Sequence, residues 1–547
     1  MDIEQASPIQ MPFLLEPIPV EPSMVSKNLL GTNNLPAEHE FPALRDFVAR
    51  GSARRAFLDS KISPLKVELE KLVEERDALD VEIRKHEGAI SPLRHLPTEI
   101  LSLIFTYAIQ PGPGESFRYF AYYHFMDMKF GPLPLSAVCS RWRRIALSQS
   151  NLWTFFPLNF QEVLPESVPV EETLSAVKIH VERSRQAPLK LLFLPFYEHR
   201  LTELEQQVLD LLTPHIARWE EVDFHGTPQI YESLCTWSAE FLALRKLHIS
   251  VDSQDEEVQL DIGNVFAFCP RLEEAFVNIE SSDNTPVAFV PDTSSLRRYG
   301  AKNSWRYHVD VLRLARDLVD CVLRVTEPFD PFPTGDKISL PHLCRLAVSD
   351  VQPLHVLDTP ALQELYCSEH TADLHDRLRE LPRLRKLFVG EPRIPVDLQS
   401  FMHSVPALTA LCMYLPMNYA STLFELLNSS PSRTTNQNQD VPNLLALHTL
   451  GLCFGPENST TMGEPIDQDK LMRAVEARWH GGQLRSFRMY AMKFAPSEST
   501  LKCMEALRQD GMEFILENDS MDLYERMVPH GFCLYSDTYD LMERMLE

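Results

Sequence analysis

The sequence has few of the features that place a chain in a membrane, outside the cell or on nucleic acid. No stretch of its 547 residues approaches the roughly 18 consecutive apolar residues of a membrane span, and the first residues lack the pattern of a signal peptide. Ten cysteines are scattered without a Cys-x-x-Cys pair, which disfavours zinc and disulfide frameworks. A formal net charge of −25 disfavours nonspecific binding to nucleic acid or anionic lipid. We therefore expect a cytoplasmic or nuclear protein that binds neither nucleic acid nor membrane.

The motifs of the common catalytic sites are also missing. The chain has no Gly-x-Ser-x-Gly elbow, no Gly-x-x-x-x-Gly-Lys phosphate loop and no His-Glu-x-x-His metal helix. His480-Gly481-Gly482 resembles an oxyanion-hole loop only faintly, and its glycines are more typical of a helix end. We expect no enzyme activity, no metal and no cofactor.

Two short apolar helices are the most informative feature that is present. The first helix is predicted in the segment LPTEILSLIF, which starts at Leu96 and has Pro97 in its first turn. The second helix is predicted in the segment VCSRWRRIA, which starts at Val138. The motif Asn151-Leu152-Trp153 follows it. Helical spacing gives each one wide apolar face, made by Ile100, Leu101, Ile104, Phe105 and Ala108 in the first and by Leu135, Val138, Cys139, Trp142, Ile145 and Ala146 in the second. A unit of about 60 residues is only marginally stable alone. The pattern therefore predicts either a binding partner or burial in a larger helical core.

The same residues resemble the F-box. That resemblance implies a helical module that docks on the Skp-type adaptor of a cullin-RING ubiquitin ligase. It also implies that the following residues contact the adaptor or support the contacting face: Leu96, Pro97, Ile100, Leu101, Ile104, Val138, Cys139 and Trp142. The chain departs from the pattern at residues 110–134, where an aromatic insertion replaces a short link.

Upstream, the chain changes from a proline-rich segment to a heptad pattern. Residues 1–52 are predicted to be a disordered arm, and residues 53–91 a coiled-coil-like helix whose continuous part starts at Ser63-Pro64 and ends near Glu87. Its apolar seam consists of Leu58, Ile62, Leu65, Leu69, Leu72, Leu79, Ile83 and Ile90, interrupted by Arg76 and His86. The seam could pair with a second copy of the chain or fold back on the protein's own surface.

Residues 156–499 repeat the pattern apolar-x-x-apolar-x-apolar, for example at Leu244/Leu247/Ile249 and Leu343/Leu346/Val348. Most copies are 19 to 28 residues apart, close to the range of roughly 20 to 29 of leucine-rich repeats. The region resembles an irregular leucine-rich-repeat solenoid, in which each unit supplies a strand and a helix and only stacking buries the core. Residues 500–547 are predicted to be a helical cap.

The remaining strand positions of such a solenoid line its concave face. Candidate substrate-binding residues there are Arg298, Arg345, Lys386, Tyr366 and Phe388. We hypothesise that the basic residues capture an acidic or phosphorylated protein segment. The alternative is an ordinary solvated strand face.

The predicted fold class is therefore α/β, with a coiled-coil-like helix and a helical F-box at residues 92–155 followed by the solenoid. The resemblance implies a substrate-recruiting subunit of a Skp-cullin-F-box ubiquitin ligase, in which any catalysis belongs to recruited partners. The alternative is a non-catalytic protein-interaction scaffold that acts outside ubiquitin transfer.

Overall fold

A computed structural model describes the chain in two compact units, residues 1–97 and 98–547. The described residues are 35–109, 131–160, 170–195, 201–226, 230–231, 240–253, 260–261, 265–266, 268–281, 287–288, 293–325, 337–392, 397–428, 446–455, 466–491 and 495–517. Among the helices in these ranges, none is long and apolar enough to cross a membrane.

The N-terminal unit is dominated by one helix, α1, which spans Phe41–Ile90. It starts within the segment predicted to be a disordered arm, so that prediction is wrong for residues 41–52; residues 1–34 lie outside the described part. Pro64 lies inside α1 rather than at its start. An interior proline costs about 3 kcal/mol, but the segment that follows it is rich in the good helix formers Leu, Lys and Glu, which propagate the helix. No residue of α1 is buried.

The second unit begins with three helices, α2 (Thr98–Ile109), α3 (Pro132–Val138) and α4 (Ser140–Ser148), and a 3₁₀ turn at Ser150–Trp153. The predicted single helix through Val138 and Trp142 is in fact two helices, because Cys139 between them is extended, with φ −159° and ψ 169°. Residues 110–130 of the predicted aromatic insertion lie outside the described part, and its last residues begin α3.

The rest of the unit contains a fourteen-stranded parallel sheet whose strands follow one another in chain order. The strands are β1 (Phe155–Asn159), β2 (Leu189–Leu194), β3 (Trp219–Gly226), β4 (Lys246–Ser253), β5 (Glu274–Ser281), β6 (Arg298–Asn303), β7 (Asp320–Val325), β8 (Arg345–Val348), β9 (Glu364–His370), β10 (Lys386–Pro392), β11 (Ala410–Pro416), β12 (Thr449–Gly455), β13 (Ser486–Ala491) and β14 (Glu513–Glu517). This confirms an α/β repeat solenoid.

Helices connect many of these strands, as parallel pairing requires. They are α5 (Val170–Ser184), α6 (Glu203–Leu212), α7 (Trp305–Leu314), α8 (Gln352–Val356), α9 (Ala372–Arg379), α10 (Leu398–Ser404), α11 (Ala420–Asn428), α12 (Gln468–His480) and α13 (Glu498–Gln509). Shorter elements are 3₁₀ turns at Pro92–Arg94, Thr213–Arg218 and Met417–Tyr419 and two-residue strands at Leu260–Asp261, Val287–Ala288, Ile338–Ser339 and Leu357–Asp358.

The apolar repeat positions form one continuous core between the sheet and the helices. Leu346, Leu365 and Leu387 pair in register across β8, β9 and β10, and each is at most 1% exposed. The predicted repeat register is therefore confirmed. Alternation places these residues on the core side of each strand and leaves the residues between them on the opposite side.

The solenoid is longer than the repeat pattern predicted. Helix α13 and strand β14 complete one more repeat, so the prediction of a purely helical cap is wrong for residues 500–517, and residues 518–547 lie outside the described part. The alternating Met512 and Phe514, both 3% exposed, are the signal that could have revealed it.

Candidate functional site

Helix α2 carries two apolar stripes instead of one wide face. The inner stripe is formed by Leu101, Phe105 and Ile109, which are 0%, 1% and 6% exposed. The outer stripe is formed by residues at helical spacing that remain between 42% and 73% exposed: Ile100, Leu103, Ile104 and Tyr107. Within the described residues, the inner stripe is the one that packs into the protein's own core.

This division bears on the expected role of Leu101, which was contact with the adaptor or support of the contacting face. Its side chain is completely buried, so of these two roles it can have the supporting one, within the helices α2 to α4, which we call the helical unit. Ile100 and Ile104, in contrast, are both 42% exposed and available for contact.

The break between α3 and α4 determines where the other F-box positions lie. Val138 ends α3 and is exposed. Cys139 is exposed as well and caps α4, its Sγ accepting a hydrogen bond from the Trp142 backbone N–H at 3.5 Å. The spacing of Cys139 predicts that it packs in an apolar helix face. In the structure it instead caps α4. Trp142 is half-buried, with its ring 4.8 Å from that of Phe105.

Trp153 joins the helical unit to the solenoid. Its indole is completely buried and donates a hydrogen bond to the Ala146 carbonyl at 2.8 Å. On the other side it contacts helix α5, with ring centroids 4.7 Å from His180 and with the Arg183 guanidinium 4.6 Å above the indole. Burial lowers the pKa of His180 to about 4, so the ring is neutral at physiological pH. Trp153 thus packs between α4 of the helical unit and α5 of the solenoid.

Leu96 and Pro97, the first two predicted adaptor-binding residues, belong to the N-terminal unit. Leu96 is half-buried and Pro97 is exposed. Pro97 immediately precedes α2, in agreement with its predicted position at the start of the helix.

The outward-facing side of the sheet carries a second ordered feature, which we call the charge ladder. It consists of one residue from each of nine neighbouring strands, β2 to β10, and the charges alternate in sign along it. Its members are Lys190, Glu221, Lys246, Glu274, Arg298, Asp320, Arg345, Glu364 and Lys386. The strand register alone places each charge beside an opposite one.

Ion pairs form along much of the ladder. Lys190 and Glu221 are 2.8 Å apart, and Lys386 and Glu364 are 2.7 Å apart. Asp320 joins two arginines: its Oδ2 accepts from Nη2 of Arg345 at 2.6 Å and lies 3.6 Å from Nε of Arg298. The ladder is a chain of mutually neutralised charges across the solenoid.

Glu274 shows the electrostatic effect of this arrangement. Burial alone would raise the pKa of its carboxyl, but the hydrogen bond with His248 and the charges of Lys246 and Arg298 outweigh that effect and lower it. Arg298 Nη1 donates to Glu274 Oε2 at 3.0 Å. The carboxylate is therefore held in its charged form.

The candidate substrate-binding residues are brought together on this side of the sheet, but not as free groups. Arg298, Arg345 and Lys386 are ladder members and are paired with carboxylates. Tyr366 and Phe388 stack on each other, with centroids 4.7 Å apart and planes at 8°, yet they are 3% and 0% exposed. The expected exposure of the two rings is corrected, since they stabilise the face from within. Capture of an acidic protein segment stays a prediction. Such a segment must compete with the carboxylates of the ladder for the same basic side chains.

Within the described ranges, no group of three or more His, Cys, Asp or Glu residues has the arrangement of a metal site. The alternation of charge was visible in the sequence at the first strand position of successive repeats, but its meaning depends on knowing that those positions pair.

Comparisons with known proteins add little to these observations. No family model matches the chain, and no curated protein matches it. One solved structure that does match is an internalin from Listeria monocytogenes, at 11% identity and a TM-score of 0.25, covering 55% of this chain and 87% of that chain. The repeat character of the solenoid therefore rests on its own parallel register and buried apolar positions.

Proposed function

We propose that this chain is the substrate-recruiting F-box subunit of a Skp-cullin-F-box ubiquitin ligase. The observation that carries the proposal is the outer stripe of α2. A short helix that buries Leu101 and Phe105 in its own unit and still exposes Ile100, Leu103 and Ile104 has a ready apolar surface for a second protein. The exposed Val138 at the end of α3 adds to the apolar residues that the F-box pattern assigns to adaptor contact.

In this proposal the solenoid binds the protein target and the helical unit binds the adaptor. The packing of Trp153 between α4 and α5 supports this division of roles, because it joins the helical unit directly to the first repeat of the solenoid. Such tethering raises the effective concentration of target lysines near the ubiquitin-charged enzyme. The chain itself contributes positioning and no chemistry.

The proposal is tested with the full-length chain and a purified Skp-type adaptor. An Ile100→Asp/Ile104→Asp variant should bind the adaptor at least about 10-fold more weakly, because each side chain, 42% exposed in the free protein, loses roughly 1 kcal/mol of apolar burial. Both side chains are exposed in the free protein, so the thermal unfolding midpoint should change little. Isothermal titration calorimetry gives the affinity, and differential scanning fluorimetry gives the midpoint.

Two control variants make the result specific. Leu314→Asp introduces one carboxylate at a 60% exposed leucine of α7 and should leave adaptor binding unchanged. Leu101→Ala removes a fully buried side chain and should lower the unfolding free energy by about 2–5 kcal/mol. If the unmodified chain does not bind the adaptor, or the Ile100/Ile104 variant binds as well as the unmodified chain, the scaffold alternative takes its place.

A further inference from the structure

Helix α1 exposes an apolar seam along most of its length. Its seam residues range from 44% exposed at Leu58 to 78% exposed at Ile90, and no residue of the helix is buried. At 1.5 Å per residue, the part from Leu58 to Ile90 is about 50 Å long. An apolar stripe of this length on a helix is a surface for another helix.

The heptad positions favour a two-stranded, parallel arrangement. Counting from Ile62 as position a, the a positions hold Ile62, Leu69, Arg76, Ile83 and Ile90, and the d positions hold Leu58, Leu65, Leu72, Leu79 and His86. Isoleucine at a with leucine at d is typical of parallel dimers, and a single polar residue at a, here Arg76, is a device that sets register and strand number.

The flanking e and g positions oppose the pairing of two copies of this chain. In a parallel, in-register pair, position g of one helix lies beside position e of the next heptad on the other. The like-charged contacts would be Lys61 with Lys66, Glu75 with Asp80, and Glu82 with Glu87. Glu68 would meet the uncharged Val73, and only Arg54 with Asp59, at the N-terminal end, would attract.

Charge repulsion also opposes an antiparallel pair of copies. When the midpoints of the two seams are aligned, Glu75 lies beside Glu75 of the other copy, and Glu68 lies beside Glu82 of the other copy. These like-charged contacts outnumber the attraction between Lys66 and Asp80. Like charges across a coiled coil destabilise it and determine partner choice.

We propose that the α1 seam binds a helix of a different protein, one that carries an aliphatic a/d seam flanked by lysine or arginine. From residue 68 onward, the charged flanking residues that such a helix would meet are all acidic: Glu68, Glu75, Asp80, Glu82 and Glu87; Lys61 and Lys66 flank only the preceding part of the seam. Glu82 already contacts Lys85 at 2.6 Å, but both side chains are more than half exposed, so a pair of this kind contributes little and is readily exchanged. The same carboxylates that attract the basic helix keep the chain from pairing with itself.

The first measurement is the mass of the full chain by light scattering after size exclusion. The unmodified chain should be a monomer of 62.8 kDa. A Glu75→Lys/Glu82→Lys variant turns two like-charged contacts of the parallel pair into opposite-charged ones, so its mass should double. The control Glu70→Lys/Glu74→Lys adds the same charge at positions b and f, away from the seam, and should stay a monomer.

The second measurement uses two synthetic four-heptad helices with isoleucine at a and leucine at d, one with lysine and one with glutamate at every e and g. The lysine peptide should bind the full chain at least about tenfold more tightly in fluorescence anisotropy, with a preference that shrinks at high salt. The Glu75→Lys/Glu82→Lys variant should lose most of that preference. A dimeric unmodified chain, or equal binding of the two peptides, would overturn the proposal.

Discussion

The indole N–H of Trp153 donates to the carbonyl oxygen of Ala146, 2.8 Å away, in the last turn of helix α4. Carbonyls in the last turn of a helix have no partner within the helix. The bond therefore caps α4 with a side chain that is itself buried beside α5, and it makes the helical unit and the first repeat one structure.

Replacing Trp153 with phenylalanine should loosen α4 selectively. The variant leaves the Ala146 carbonyl without its donor at a cost of about 1–3 kcal/mol. Hydrogen–deuterium exchange of residues 140–148 should therefore become faster. Trp479→Phe, on the distant helix α12, is the control and should leave exchange in that segment unchanged. Equal exchange in the Trp153 variant and the unmodified protein would show that the bond does not stabilise α4.

Asp320→Asn should destabilise the middle of the solenoid. Asp320 is 3% exposed and lies between Arg298 and Arg345, so the neutral amide removes the charge partner of the Arg345 guanidinium and the weaker of the two carboxylate contacts of Arg298, which keeps Glu274. We expect a loss of about 2 kcal/mol of unfolding free energy, measured by urea denaturation. Asp317→Asn, at an exposed position three residues earlier, is the matched control. If Asp320→Asn lowers the free energy of unfolding no more than Asp317→Asn does, the charge ladder does not stabilise the solenoid.

The protein should lose stability between pH 6.5 and pH 4. Burial lowers the pKa of both His180 and His308 from 6.5 to about 4, because the charged ring cannot be solvated inside the fold. The unfolded chain then binds more protons in that window, so the stabilisation is complete above pH 6.5 and falls as pH decreases. At pH 5 the loss is about 2 kcal/mol for each histidine.

Urea midpoints at pH 7 and pH 5 measure this effect, and His308→Gln should reduce the difference between them. The exposed His342 provides the control substitution. The lowered pKa of Glu274 stabilises the fold above its ordinary pKa of 4.5, and this stabilisation is lost only as the pH falls below that value. Glu274 therefore does not affect the comparison between pH 7 and pH 5. A difference that persists unchanged in the His308 variant would assign the pH effect to other groups.

Much of the fold could be predicted from the sequence, because the repeat pattern of leucines carries its own register. Leu247 and Ile249, for instance, occupy the buried positions that their spacing implied. The division of α2 could not be predicted, since both stripes are apolar and spacing does not show whether Leu101 or Ile104 meets the protein's own core. The end of α3 was equally hidden, because Cys139 fits a helical apolar face as well as it fits a cap.

The face of the solenoid was predictable in composition and not in arrangement. Arg298, Asp320 and Arg345 are plain in the sequence, but that they neutralise one another follows only from strands lying side by side. The burial of Tyr366 and Phe388 likewise depends on the folded chain, because alternation alone places them on the outward side.

The charge ladder also limits how such a chain can evolve in length. Removing one repeat from its interior would bring together two strands whose ladder residues have the same sign, such as Glu274 and Asp320 across a lost Arg298. Removing two consecutive repeats would join opposite signs again. Duplications and deletions in this part of the array are thus tolerated best in even numbers.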